Sequence, residues 1–228
     1  MYQRAIAIDG PSGAGKSTIA RRVADQLNFR YIDTGAMYRA CTLKVLYENI
    51  DANDEAAVSA LVRKIDIRLG AENGMPLIFM DGENISKAIR GSEVTALVSK
   101  VCSYADVREA MVDLQRGYAR EGGVVMDGRD IGTYVLKDAA LKIFLTADPR
   151  ERGHRRFLEW QQKGIAPDMT EEDVINDLIR RDELDSNREI HPLRQSEDAI
   201  LIDSTAMTIE QVSDAIIKLW KERSVEVL

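Results

Sequence analysis

Along this chain, short apolar runs and helical stripes alternate, separated by turn residues. Ile6-Ala7-Ile8 is short, apolar and β-branched, the pattern of a parallel strand covered on both faces. Ile19, Val23 and Leu27 recur at every fourth position with Arg21, Arg22 and Asp25 between them, which predicts a helix with one apolar stripe. Phe29-Arg30-Tyr31-Ile32 reads as a second strand and is followed by a helix from about Ala36 to Glu48, with Thr34 as a plain N-cap. Asn53 or Asp54 caps another helix to about Lys64. The period then changes to two. Ile65-Asp66-Ile67-Arg68-Leu69 alternates, Glu72-Asn73-Gly74 turns, Leu77-Ile78-Phe79-Met80 returns to Asp81-Gly82, and Glu83-Asn84-Ile85 makes a third strand. An antiparallel meander of about 40 residues thus interrupts a strand–helix chain, as an insertion rather than a separate domain.

Helices from about Ser92 to Ser103 and from Asp106 to Arg120 follow, and Gly122-Gly123 stops the second. Val124-Val125-Met126 and Leu141-Lys142-Ile143-Phe144-Leu145 read as the third and fourth core strands. Asp148-Pro149 caps a helix that ends near Gly164, and Gly164-Ile165-Ala166-Pro167-Asp168-Met169 is a loop. Thr170 with Glu171, Glu172 and Asp173 opens a long polar helix. Ala199-Ile200-Leu201-Ile202 is the fifth strand. A last helix begins at Thr208, with Gln211 completing a capping box and Ile209, Val212, Ile216 and Leu219 facing inward. The alternation implies an α/β fold, a five-stranded parallel sheet flanked by helices.

The charges change this picture at two places. Net charge is −7 over 228 residues, so bulk repulsion opposes a nucleic-acid polymer as partner. Arginine is nevertheless clustered, first at Arg150, Arg152, Arg155 and Arg156 and again at Arg180, Arg181, Arg188 and Arg194, which suits a small, highly charged anion. The two arginine-bearing stretches, joined by a Gly/Pro loop, form a plausible lid; closing over phosphates would exclude competing water. There is no apolar run of about 18 residues and no leader before the first strand, so no membrane span or secretion is expected. Cys41 and Cys102 stand far apart, outside any metal or redox spacing, consistent with reduced thiols in a cytoplasm.

The chemistry concentrates at strand ends. Gly10-Pro11-Ser12-Gly13-Ala14-Gly15-Lys16-Ser17, followed by Thr18, fits G-x-x-x-x-G-K-[ST] between a strand and a helix. Its glycines let backbone N–H groups turn around a phosphate, Lys16 reaches the β- and γ-phosphates, and the Ser17 hydroxyl is a Mg²⁺ ligand. Asp127-Gly128-Arg129-Asp130-Ile131-Gly132-Thr133 ends another core strand, and three charges there are hard to explain as packing. Asp127 is placed like the acid that orders a Mg²⁺ shell, from its second layer rather than as a direct ligand. Thr34, Tyr38 and Arg39 lie on the first turn of a helix after a strand end, where an open α/β sheet binds its ligands. Arg108 sits in a first helical turn, where a cation gains nothing from the dipole, which favours a ligand role. His154 and His191 have neither triad nor zinc spacing.

Taken together, G-P-S-G-A-G-K-S-T, Y-I-D-T-G-A-M-Y-R, V-R-E-A, D-G-R-D-I-G-T, K-I-F-L-T-A, R-R-D and I-D-S-T resemble the bacterial cytidylate kinase family of nucleoside monophosphate kinases, over essentially the whole chain. The resemblance implies a P-loop NTPase fold with a small inserted antiparallel β/α subdomain and a short lid. Over 1–228 this gives one domain: core 1–60, 104–149 and 198–228, insert about 61–103, lid about 150–197. It implies ATP-dependent phosphorylation of CMP and dCMP with Mg²⁺, by a cytoplasmic monomer that engages neither nucleic acid nor membrane. Arg39 and Arg129 would hold the acceptor phosphate, and Ser99, Arg108 and Asp130 would read the cytosine edge. Thr34 and Tyr38 join the acceptor set, with Thr34 where serine is more usual. Arg181 and Asp185 would contact phosphate and sugar, and Arg188 would help close the acceptor site. Arg152, Arg155 and Arg156 would serve the ATP phosphates and base; Lys16, Arg129, Arg155 and Arg181 would act on the moving phosphoryl group.

Two other readings compete. One is a related small-molecule kinase, acting on adenylate, uridylate, shikimate or dephospho-coenzyme A; the insert and the Asp130, Arg108 and Ser99 set argue against it. The other is a nucleotide-dependent switch, but no N-K-x-D motif is present and the glycine after Asp127 belongs to D-G-R-D.

Overall fold

A computed structural model of the chain describes residues 2–72, 75–164 and 167–226. Asn73-Gly74 of the expected turn and Ile165-Ala166 of the expected loop lie outside the described residues. Eight strands and eight α-helices are described: β1 Tyr2–Asp9, α1 Lys16–Leu27, β2 Arg30–Asp33, α2 Thr34–Tyr47, α3 Glu55–Val62, β3 Ile67–Glu72, β4 Met75–Met80, β5 Glu83–Asn84, α4 Ser92–Val101, α5 Ala105–Arg120, β6 Val124–Gly128, β7 Ala139–Thr146, α6 Pro149–Lys163, α7 Glu171–Asn187, β8 Ile200–Asp203 and α8 Ile209–Glu226.

The five-stranded parallel sheet has the order β2-β6-β1-β7-β8, and β3-β4-β5 form a three-stranded antiparallel sheet. The apolar run at the start explains why β1 is central. Ala5, Ile6, Ala7 and Ile8 are at most 1% exposed, so both faces of the strand are covered, with β6 and β7 as its parallel neighbours. The chain divides into two compact units, Tyr31–Glu121 and the segments on either side of it.

In the flanking unit, α1 buries Ile19, Ala20, Val23 and Ala24 and packs against β6 and α8. Asn28, in the left-handed region at φ 53°, ends the helix. Phe29 then meets Trp220 edge to face, with ring centroids 5.2 Å apart. Helices α6 and α7 pack closely through Gly153, whose absent Cβ would lie 2.2 Å from Ile175 Cγ1. In α8 the capping box between Thr208 and Gln211 is present, and Val212 and Ile216 are buried as expected. Ile209 departs from the expectation and is 50% exposed, because it stands in the first turn; Ser213 and Ile217 complete the buried face instead.

In the other unit, α2 packs against α3, α4 and α5, and Tyr104 donates through its hydroxyl to the Ala52 carbonyl at 2.8 Å. The N-cap of α2 is Asp33, which accepts from the Ala36 N–H at 2.9 Å; Thr34 is already helical and buried. A carboxylate one residue upstream is the better acceptor for the free N–H groups of a first turn. The meander begins at Ile67 rather than Ile65, since the Asp66 N–H donates to the Asp81 carboxylate at 3.0 Å instead of to a ladder partner.

Candidate active site

The loop after β1 has the shape its glycines require. Gly10 has φ 150°, and a Cβ there would lie 1.9 Å from the Leu145 carbonyl oxygen, so any other residue would collide with β7. Gly15, at φ 84°, is the N-cap of α1 and offers no side chain to its first N–H groups. Those groups, together with the dipole, remain for an anion.

Lys16 is buried beneath this loop, and its ammonium donates to the Pro11 carbonyl at 2.7 Å. Burial pushes its pKa well below the ordinary lysine value, and the Arg129 guanidinium pushes the same way against the attraction of Asp127, Asp182 and Asp9. The exposed Ser17 donates through its hydroxyl to Asp127 Oδ2 at 2.9 Å, bringing two oxygen donors together at the loop. Hydroxyl and carboxylate oxygens are the donor chemistry that a hard cation such as Mg²⁺ takes, and these two would hold one here. No group of three or more metal-ligating His, Cys, Asp or Glu side chains exists among the described residues.

The turn after β6 carries the second part of the site. Arg129 donates through Nε to Asp185 Oδ2 on α7 at 2.8 Å. Burial alone would lower the Arg129 pKa, but Asp185, Asp182 and Asp127 together outweigh it and hold the value raised. Asp185 is likewise desolvated, yet Arg129, Arg181 and Arg188 hold it below the usual carboxylate range. Asp130 is buried, with Arg188 Nη2 3.3 Å away and His191 Nδ1 3.8 Å away. The His191 ring stacks on Tyr134 at 3.2 Å. Arg129, Asp130, Asp185 and Arg188 therefore form one connected charge cluster.

Of the expected donor-side arginines, Arg152 reaches the loop, where it pairs with Asp182 as well as with a loop carbonyl. It donates to the Ser12 and Ala147 carbonyls at 2.7 and 2.9 Å. Arg155 donates to the Ser204 and Thr205 carbonyls at 2.9 and 3.0 Å, and Arg156 lies 3.7 Å from Glu159.

Within the Tyr31–Glu121 unit, Arg108 is fully buried, donates to the Cys102 carbonyl at 3.2 Å, and lies 5.3 Å from the centre of the Tyr38 ring. Arg39 donates to Thr95 Oγ1 at 3.0 Å, and Ser99 is half-buried on α4.

Two acids of the site escape the motif reading. Asp9, the last residue of β1, is 4% exposed and accepts the Ile131 and Gly132 N–H groups at 2.8 and 2.7 Å, fixing the turn that carries Asp130. Desolvation pushes its pKa up to about 7 against those two hydrogen bonds. The available clue was a charged residue closing an otherwise apolar core strand. Asp182, the acid of R-R-D, accepts the Ser12 N–H at 2.8 Å. The π turn at Ile131–Val135 also has no sequence signature.

The family description "Cytidylate kinase" matches residues 6–222. Cytidylate kinase of Lysinibacillus sphaericus (strain C3-41) is 50% identical over 218 residues, covering 96% of each chain. Cytidylate kinase of Bacillus subtilis (strain 168) is 46% identical over 219 residues, 96% of this chain and 97% of that one. Among solved structures, an uncharacterized protein from Eubacterium ventriosum aligns with TM-score 0.54 at 14% identity, covering 96% of this chain and 99% of its own. A gluconokinase from Sinorhizobium meliloti 1021 aligns with TM-score 0.52 at 11% identity, covering 99% and 96%. At such identities the structural likenesses establish only the fold, whereas the sequence matches run through both the phosphate loop and the arginine cluster: this chain belongs to the cytidylate kinase family.

Proposed function

We propose that the protein transfers the γ-phosphoryl group of ATP to CMP and dCMP, giving CDP and dCDP. One observation carries the reading: the buried Lys16 lies under the glycine loop and the half-buried Arg129 follows the neighbouring strand β6, near enough to disfavour the Lys16 ammonium, and an entering polyphosphate relieves that repulsion. An oxygen of the acceptor phosphate attacks the γ-phosphorus, the bond to the β–γ bridging oxygen breaks, and ADP leaves with the electron pair. No general base is required, because the nucleophile is already anionic. The Gly10–Thr18 loop holds the donor phosphates through those of its backbone N–H groups that are not already bonded, as the Ser12 N–H is to Asp182, and Lys16, Arg129 and Arg181 stabilise charge on the moving group. Ser17, with Asp127 behind it, would hold Mg²⁺, which neutralises phosphate charge when bound.

For the acceptor we assign Arg39 and Arg129 to the phosphate, Arg181 and Asp185 to phosphate and sugar, and Ser99, Arg108 and Asp130 to the base. Thr34, Tyr38 and Arg188 support that set. Arg155 and Arg156 are assigned to the donor, and α6 with α7 to the lid. A carboxylate that accepts from the cytosine amino group meets a carbonyl in uracil, which favours CMP over UMP. We assign the protein to the cytoplasm as a monomer acting on free nucleotides; no described helix is long and apolar enough to cross a membrane.

The test is a coupled assay of ADP release with MgATP and each of CMP, dCMP, UMP and AMP. Turnover with the two cytidine nucleotides well above the others is expected. Preference for AMP or UMP would overturn the acceptor assignment.

A further inference from the structure

Ser12 is held by both of its peptide groups. Its N–H donates to Asp182 Oδ1 at 2.8 Å, and its carbonyl accepts from Arg152 Nη1 at 2.7 Å. The same Arg152 nitrogen donates to Asp182 Oδ2 at 2.5 Å, which closes a ring of three residues from the loop, α6 and α7. Arg152 is further fixed by its Nε bond to the Ala147 carbonyl at 2.9 Å, just before α6 begins. The ring is desolvated: Ser12 and Arg152 are each 4% exposed, and the Asp182 side chain is 16% exposed. Beside it Gly13 leaves no slack, since a Cβ there would lie 3.2 Å from Leu178 Cδ1 and 3.3 Å from Arg152 Cβ.

A loop that binds phosphate through backbone N–H groups depends on where its peptide planes point, because a peptide N–H cannot swing toward its ligand as a side chain can. We propose that Asp182, acting with Arg152, is a positioning pair for the phosphate donor: by clamping both peptide groups of Ser12 it sets the outer limb of the loop that receives the ATP phosphates. The inference rests on the kinase reading above and adds to it a residue that need not touch the nucleotide. Arg152 then acts on the loop, through the Nε and Nη1 bonds that tie it to Ala147, Ser12 and Asp182.

A pair of buried charges can be removed together at little cost in stability, whereas removing one partner leaves the other charge buried and unpaired. The decisive variant is therefore the double substitution Arg152→Met with Asp182→Leu, with Asp182→Asn alongside it. The asparagine keeps an acceptor for the Ser12 N–H and loses the charge, so it remains informative if the double variant folds poorly. Steady-state kinetics for ATP and for CMP are measured separately, together with ADP affinity by calorimetry and a thermal melt.

The expected result is a rise of tenfold or more in KM for ATP and in the ADP dissociation constant for the double variant, with KM for CMP within twofold of wild type. Asp182→Asn should fall between the two. An unchanged KM for ATP in either folded variant would overturn the proposal and reduce the ring to a packing feature. A lower KM for ATP would overturn it differently, by showing that Asp182 competes with phosphate for the Ser12 N–H. Failure of wild type to phosphorylate CMP would count against the kinase reading itself and is scored before either variant.

Discussion

Replacing Lys16 by methionine should separate catalysis from stability. The side chain is 6% exposed, and its ammonium donates to the Pro11 carbonyl at 2.7 Å. Methionine fills nearly the same volume without the charge. In catalysis, loss of one charged donor to the moving phosphoryl group costs about 2.7–4 kcal/mol, or roughly 10²–10³-fold in kcat. Stability moves the other way. Losing a hydrogen bond made by a charged group costs about 1.5–3 kcal/mol. Against this, an ammonium no longer has to be buried near Arg129, and burial of an ion costs several kcal/mol even after relaxation. The lowered Lys16 pKa places burial and the Arg129 repulsion ahead of the attraction of Asp127, Asp182 and Asp9. The variant should therefore match wild type in stability or exceed it by about 1–2 kcal/mol, a trade of stability against function. Urea unfolding without nucleotide, and a coupled assay at saturating ATP and CMP, measure the two halves. A kcat within tenfold of wild type would sink the phosphate role, and a variant destabilised by more than about 2 kcal/mol would make Lys16 a structural strut.

Removing the Arg129 side chain should raise KM for CMP and lower kcat with little change in KM for ATP, because a fork that aligns the attacking oxygen acts in both ground and transition states. Equal defects toward both nucleotides would instead mark the Arg129–Asp185 pair as a shared scaffold. Asp130→Ala should damage kcat/KM for CMP more than for UMP, with loss of one charge-assisted hydrogen bond costing about 1.5–3 kcal/mol; an unchanged ratio would remove Asp130 from base reading. Asp9 makes stability depend on pH. Its pKa rises from 3.8 to about 7 on folding, so the folded protein keeps a proton that the unfolded chain has already lost. Stability from this group is therefore highest below pH 3.8, falls as pH rises toward about 7 and then levels off. The difference in unfolding free energy between wild type and Asp9→Asn should slope across that window, by on the order of 4 kcal/mol in all. A flat difference would show that Asp9 does not titrate on folding.

The legible parts of the site were those whose chemistry lies in a short stretch. Gly10 to Ser17 declares itself because every fixed position of the motif falls within eight residues, and β1, β6 and β7 because strands buried on both faces must be apolar throughout. The insert was legible as a change of period from helical to two. Asp9 and Asp182 were not, since what each does depends on a partner far along the chain: Ile131 lies 122 positions from Asp9, and Ser12 lies 170 from Asp182. Thr34 and Ile209 misled for a local reason. Both sit at helix starts, where one residue of slip exchanges cap for first turn and buried face for exposed face.

The ring around Ser12 also bears on the order in which this protein can fold. Its loop lies near the beginning of the sequence, yet the carboxylate that fixes the Ser12 N–H is on α7, 170 positions later. Strand β1 waits in the same way, because its parallel partners begin at Val124 and Ala139. The separation costs little at equilibrium, since each doubling of a closed loop adds only about 0.6 kcal/mol. It costs time, because non-local pairings must form before they stabilise anything. A nascent chain that stops short of α7 carries the glycine motif without the clamped cradle. If the clamp sets the loop as proposed above, nucleotide binding during synthesis would report completion of the flanking unit through α7, and not emergence of the motif itself.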